Sequence, residues 1–147
     1  MRILVGWEDP GEAEIIGSLL EVEVNHAEIF TDVASFTEAA KSGQWHVVLL
    51  SLDFPSVNES YALFEQIQSY APSVPILGAW RQGEVVQLAK IISHALHSHL
   101  KRDDNGDFIF LLTSMLEAAY SAVQAQRAKL LAERLREELD SVRRLQE

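Results

Sequence analysis

The run Val47-Val48-Leu49-Leu50 ends in Ser51, with Asp53 and Pro55 close behind. A short continuous apolar run reads as a strand buried on both faces. Ligands of parallel α/β sheets gather where such strands open to solvent. A serine there needs a neighbouring base to act as a nucleophile, and the local sequence offers none, so its plain reading is a small polar residue closing a strand. Asp53, two residues on, is the nearest acid. Trp7 and Glu8, then Asp9, follow a second apolar run, Ile3 to Val5, and Lys101 closes a later one. His94 and His97 share a helical spacing and His99 follows, but no carboxylate completes a set at ligand spacing, so no metal site is expected. "WEDPGE" and "RDDNGD" are acidic turns, and the second departs from a calcium loop after six residues. Gly78 lacks the glycine partners of a dinucleotide fingerprint, so no cofactor is expected.

The elements that must position these residues alternate. "RILVGW" reads as a strand. Pro10 and "GEAEIIGSLL" open a helix with Ile15, Ile16, Leu19 and Leu20 apolar. "HAEIF" is a short strand, "ASFTEAAKSG" a helix stopped at Gly43, and "HVVLLSL" the strongest strand. "NESYALFEQIQSY" gives a helix with Ala62, Leu63, Ile67 and Tyr70 as its core face. "VPILGAW", "GEVVQLAKIISHAL" and "HSHLK" follow as strand, helix and strand, and "RDDNGD" turns at Asn105-Gly106. Five βα units with continuous apolar strands predict a flavodoxin-like α/β sandwich, a parallel sheet in order 2-1-3-4-5 covered on both faces.

The 147 residues are enough for one ordinary domain and a long extra helix. There is no cysteine, which excludes a disulfide framework and thiolate metal sites. The net charge of −10 sits entirely before Phe108: six Lys/Arg stand against sixteen Asp/Glu up to Asp107, and six against six beyond it. An acidic body argues against nucleic-acid binding, which needs basic residues to neutralise phosphates. No apolar stretch approaches a membrane span.

From Phe108 to Glu147 there is neither Pro nor Gly. Ile109, Leu112, Leu116, Ala119, Val123, Gln126 and Leu130 follow a 3-4 spacing. Leu131, Leu135, Glu138, Val142 and Leu145 continue it with an offset of one residue. The chain is therefore expected to divide into a body, 1–107, and an extended fifth helix, 108–147. The first two or three turns of that helix can pack on the sheet, and the helix is expected to dimerise the chain as a parallel coiled coil through Leu112, Leu116, Ala119, Val123, Leu130, Leu131, Leu135, Val142 and Leu145.

The landmarks resemble the receiver domain of two-component response regulators. "RILVGWEDP" resembles that family's "ILVVDDEP", "VVLLSLDFPS" its "VVLLDLMLPG", and "HSHLKRDDNGDF" its "YLxK" segment, over about residues 2 to 125. The resemblance implies phosphorylation-site positions at Trp7, Glu8, Ser51, Trp80 and Lys101, and an aromatic switch position at Ser98. A working site needs an aspartate nucleophile, two acids for Mg²⁺, a hydroxyl and a lysine. Only Glu8 and Lys101 fit, with Asp9 as a further acid. Ser51 replaces the nucleophile, and Trp7 and Trp80 are expected to fill the vacated pocket.

The expectation is a pseudo-receiver: a signal-transduction module, not an enzyme, that works through protein contacts and homodimerisation and feeds an output domain or partner signalling protein. It is expected in the cytoplasm, without nucleic-acid or membrane partners. Two alternatives remain: a phosphoreceiver using Asp53, and a nucleotide or flavin sensor using the same crevice.

Overall fold

The computed structural model describes residues 1–22, 24–81, 89 and 98–146. Five parallel strands, β1 (Arg2–Gly6), β2 (His26–Phe30), β3 (Val47–Ser51), β4 (Ile76–Trp80) and β5 (Ser98–Lys101), form one sheet in the order β2-β1-β3-β4-β5. Between them lie α1 (Pro10–Leu20), α2 (Val33–Ser42) and α3 (Ser60–Tyr70), and the C-terminal helix runs from Ile109 to Gln146. This is the flavodoxin-like arrangement the apolar runs predict. The helix expected over 83–96, with His94 and His97, lies outside the described residues apart from Ala89.

Alternation along each strand sorts the core into two layers, because successive side chains point to opposite faces. Ile3, Val5, Val47, Leu49, Leu77 and Ala79 face α1 and the C-terminal helix. Leu4, Val48, Leu50 and Ile76 face α2 and α3, where Phe36 and Phe54 meet edge to face. Asp9 caps α1, its carboxylate accepting from the Gly11 and Glu12 amides, and Pro10 opens the first turn. It is therefore a helix cap and not an acid of the crevice. Asp32 caps α2 in the same way through the Ser35 amide, which holds its carboxyl below the usual carboxylate range.

Gly43 ends α2, as expected, but in extended backbone. A left-handed residue is not what the position needs. A Cβ there would lie 1.8 Å from the Trp45 indole nitrogen, which donates to the Ala39 carbonyl at 2.8 Å in the last turn of α2. Glycine is required by the ring packed against it.

Two helical faces differ from expectation. In α3 the buried set is Ser60, Leu63, Phe64 and Ile67, whereas Ala62 and Tyr70 are exposed. In α1 Ile15 faces solvent, and Ala13, Ile16 and Leu20 are buried.

The larger correction concerns the C-terminal helix. Leu112, Leu116 and Ala119 are fully buried in the body's own core, with Phe108 and Ile109. They cannot serve a dimer seam. A 3-4 apolar stripe fits the face of a sheet as well as a second helix, and here the sheet takes it. Val123 is half-buried, and Arg127 donates to the Ser73 carbonyl at 2.8 Å. Beyond it, every side chain from Ala128 to Leu145 is exposed.

Candidate functional site

The carboxyl ends of β1, β3 and β5 carry Trp7, Ser51 and Arg102 to one place. Each strand's ladder is extended by one hydrogen bond at this end: the Trp7 amide donates to Phe30, the Leu52 amide to Ala79 and the Arg102 amide to Trp80. The last bond fixes the direction of Arg102. Along β5, Leu100 packs into the layer beneath α1. Arg102, two residues on, points the same way, and Lys101 points the other.

Arg102 is 4 % exposed and its guanidinium fills the crevice. Nη1 donates to Glu8 Oε1, to the Ser51 hydroxyl at 2.8 Å and to Asp53 Oδ2 at 3.3 Å, and Nη2 donates to Glu12 Oε1. Its Cζ lies 4.4 Å from the centre of the Trp7 ring, a cation–π contact out of reach of water. Burial alone would lower the Arg102 pKa, but the hydrogen bonds and charges of Glu8 and Glu12 more than offset it and hold the pKa above the ordinary value. A second guanidinium, Arg81, stands at the rim, 3.5 Å from Glu12 and 3.6 Å from Asp53. Three carboxylates and two guanidiniums thus give the crevice a formal charge of about −1.

Each carboxylate has a local origin. Glu8 leaves the end of β1. Glu12 sits in the first turn of α1, where the helix dipole favours an acid. Asp53 follows β3 and its amide donates to the Ser51 hydroxyl at 3.1 Å. Ser51 is fully buried and accepts from both Asp53 and Arg102, so its oxygen is already committed. Two polar atoms of the cluster, Glu8 Oε2 and Arg102 Nε, are buried without a hydrogen-bond partner.

Of the positions implied by the resemblance, Trp7, Glu8 and Ser51 come together. Trp7 is fully buried and stacks on Phe108 with ring centres 6.1 Å apart. Trp80 and Lys101 do not join them. Trp80 shares the parity of Ile76, so it belongs to the opposite layer and is only half-buried. Its indole donates to His99 Nδ1 at 3.1 Å, with the Lys101 ammonium 5.9 Å from its ring. The crevice is therefore plugged by one indole and a guanidinium, not by two indoles. Ser98 sits in β5, half-buried. Asp53 points into the crevice as an ion-pair partner of Arg102.

Arg102 is the residue that sequence reasoning missed. The signal was the period of two in "HLKR": if Leu100 faces the core, Arg102 must share its face and Lys101 cannot. "RDDNGD" is a structural turn. Gly106 has φ of 76°, in the left-handed region glycine favours, and the Asp103 carboxylate accepts from the Asp107 and Phe108 amides at the start of the C-terminal helix.

The Mg²⁺ that the resemblance implies does not fit these residues. One of its acid positions is Trp7. The oxygens of Glu8, Glu12 and Asp53 converge on a buried guanidinium, which a divalent ion would have to displace or sit against. Among the described residues no three His, Asp or Glu side chains are grouped as metal ligands would be.

No family model and no curated protein matches the chain. Solved structures do. A CheY-like response regulator receiver domain protein from Methanospirillum hungatei superposes with a TM-score of 0.74 at 13 % identity, covering 85 % of this chain and 97 % of that one. Full-length FixJ from B. japonicum gives a TM-score of 0.74 at 20 % identity, covering 95 % of this chain and 68 % of that one. NtrX from Brucella abortus, in complex with ADP, gives 0.72 at 18 % identity over 86 % of this chain, which spans only 28 % of the NtrX chain. The sheet order and these superpositions lead to one conclusion: the chain has the fold of response-regulator receiver domains, with a long C-terminal helix added.

Proposed function

We propose that the chain is a two-component-type signalling module that does not use aspartyl phosphorylation, a pseudo-receiver acting through protein contacts and homodimerisation. The observation that supports this most is Arg102. Its guanidinium occupies the ground between Glu8 and Ser51, where a phosphoryl group and its metal would have to stand. A guanidinium that cannot leave permanently occupies the crevice and offsets part of its acidic charge, so the module's state is set by its contacts and not by a transferred group. Asp53, the displaced acceptor, has its Oδ2 held between two guanidiniums, Arg81 and Arg102.

Beryllofluoride with Mg²⁺ mimics an aspartyl phosphate in phosphorylated receivers. For this chain the expected outcome is no saturable rise in melting temperature with both present. A rise that requires both components would refute the proposal and return Asp53 to consideration. Electrospray mass spectrometry after acetyl phosphate treatment is the independent check, with no added phosphoryl mass expected.

A further inference from the structure

The exposed part of the C-terminal helix carries more information than its apolar content. Among its exposed large side chains are Leu135, Leu139 and Val142. Leu139 belongs to no seam in the 3-4 spacing that places Glu138 inside. Counting from Ala128, the series Ala128, Ala132, Leu135, Leu139, Val142 keeps a 4-3-4-3 spacing without interruption and without a charge. In that frame Glu138 moves to a flanking g position. The opposite flank, e, carries Lys129, Arg136 and Arg143, every one basic.

We infer that this helix pairs with a second copy of the chain in parallel, with Leu135, Leu139 and Val142 in the seam and Glu138 beside Arg143 of the partner subunit. The argument is charge complementarity. In a parallel pair each g residue faces the e residue five positions on in the other helix, so Glu138 meets an arginine twice by symmetry, and Leu131 is covered by the aliphatic stem of Arg136. In an antiparallel pair e faces e, and three basic residues meet three basic residues. The sequence frame with Glu138 in the seam would bury two unpaired carboxylates side by side. The inference rests on the reading of the chain as a homodimer and specifies its orientation and register.

The test uses the whole chain, whose lack of cysteine lets single ones be introduced at exposed positions. In a parallel pair a seam residue lies against its own copy. Leu139→Cys should therefore cross-link to a disulfide dimer under mild oxidation, and Glu138→Cys should cross-link far more slowly. Sedimentation of the unmodified chain runs alongside. Cross-linking of Glu138→Cys in place of Leu139→Cys would overturn the register. A sedimenting dimer in which neither links would overturn the parallel orientation. A monomer would overturn the homodimer reading itself. Glu138→Arg and Arg143→Glu should each weaken the dimer by about three- to tenfold, and the double variant should recover it. Failure of the double variant to recover would remove the proposed pair.

Discussion

Arg102, at the end of β5, holds together residues from two other strand ends and a helix, yet a buried ion cluster is weak evidence of stability. Replacing a whole buried cluster by apolar groups is often neutral, whereas removing one partner strands the others. Glu8 Oε2 and Arg102 Nε lack partners even in the intact cluster, which fits a site kept for its state more than for its contribution to folding. Arg102→Met should cost about 3–5 kcal/mol, because three carboxylates then face one another with only the rim guanidinium of Arg81 to compensate them. Arg102→Lys should recover less than half of that, since an ammonium lacks the planar fork that reaches Glu8, Ser51 and Glu12 together. Urea unfolding followed by tryptophan fluorescence measures both, and a loss below about 1 kcal/mol for Arg102→Met would show that the carboxylates find water instead. At this scale the sequence was partly legible. Trp7, Glu8 and Ser51 could be placed because they end apolar runs. Arg102 was not found, because aligning a basic residue by its neighbour's likeness to a motif ignores the pleat, which shifts the inward position by one.

Among the elements, those with strong periodicity were readable and those decided by tertiary contact were not. β2 was anticipated to the residue, and β3 to within one at each end. The face of α3 was misjudged because Phe64 and Ala62 both fit an apolar stripe, and only the position of Phe36 and Phe54 decides which one turns inward. Gly43 illustrates the same point. Its role as a stop was visible, but the reason, a tryptophan two residues on folding back over it, was not. Gly43→Ala should therefore destabilise by about 1–3 kcal/mol, the range for forcing extra atoms into a packed site. A substitution of the same type at a helix end with open space would change little. Thermal unfolding of the variant is the check, and a shift in Trp45 fluorescence should accompany it. An unchanged melting temperature would mean that the indole moves aside freely.

For the molecule as a whole, the helical stripe carries two jobs in succession. Its first part, Ile109 to Ala119, completes the core, and its last part is bare. A cut after Phe108 would remove buried leucines and should unfold the body. A cut after Arg127 removes side chains that are exposed from Ala128 to Leu145, so residues 1–127 should remain folded and, under the proposed dimer, become monomeric. Circular dichroism and sedimentation velocity read the two effects separately. If the shortened chain still dimerises, the body itself carries the interface. The division was legible in outline, two or three turns on the sheet and the rest left for a partner, but Leu112, Leu116 and Ala119 were also assigned to the seam because a sheet and a partner helix ask for the same 3-4 spacing.

The bond from Arg127 to the Ser73 carbonyl marks where this helix leaves the body, and its mechanical meaning follows from length. The nineteen residues from Ala128 to Gln146 extend about 28 Å at 1.5 Å per residue. They form a stiff pointer rooted in the layer that also holds Trp7. Phe108, one residue before the helix begins, stacks on that indole. A tilt of about 5° at the root would sweep the far end of a rod this long through roughly 2.5 Å. A contact that tilts the helix at its root by so little would thus be delivered, magnified, as a displacement of about half a helical turn at the far end.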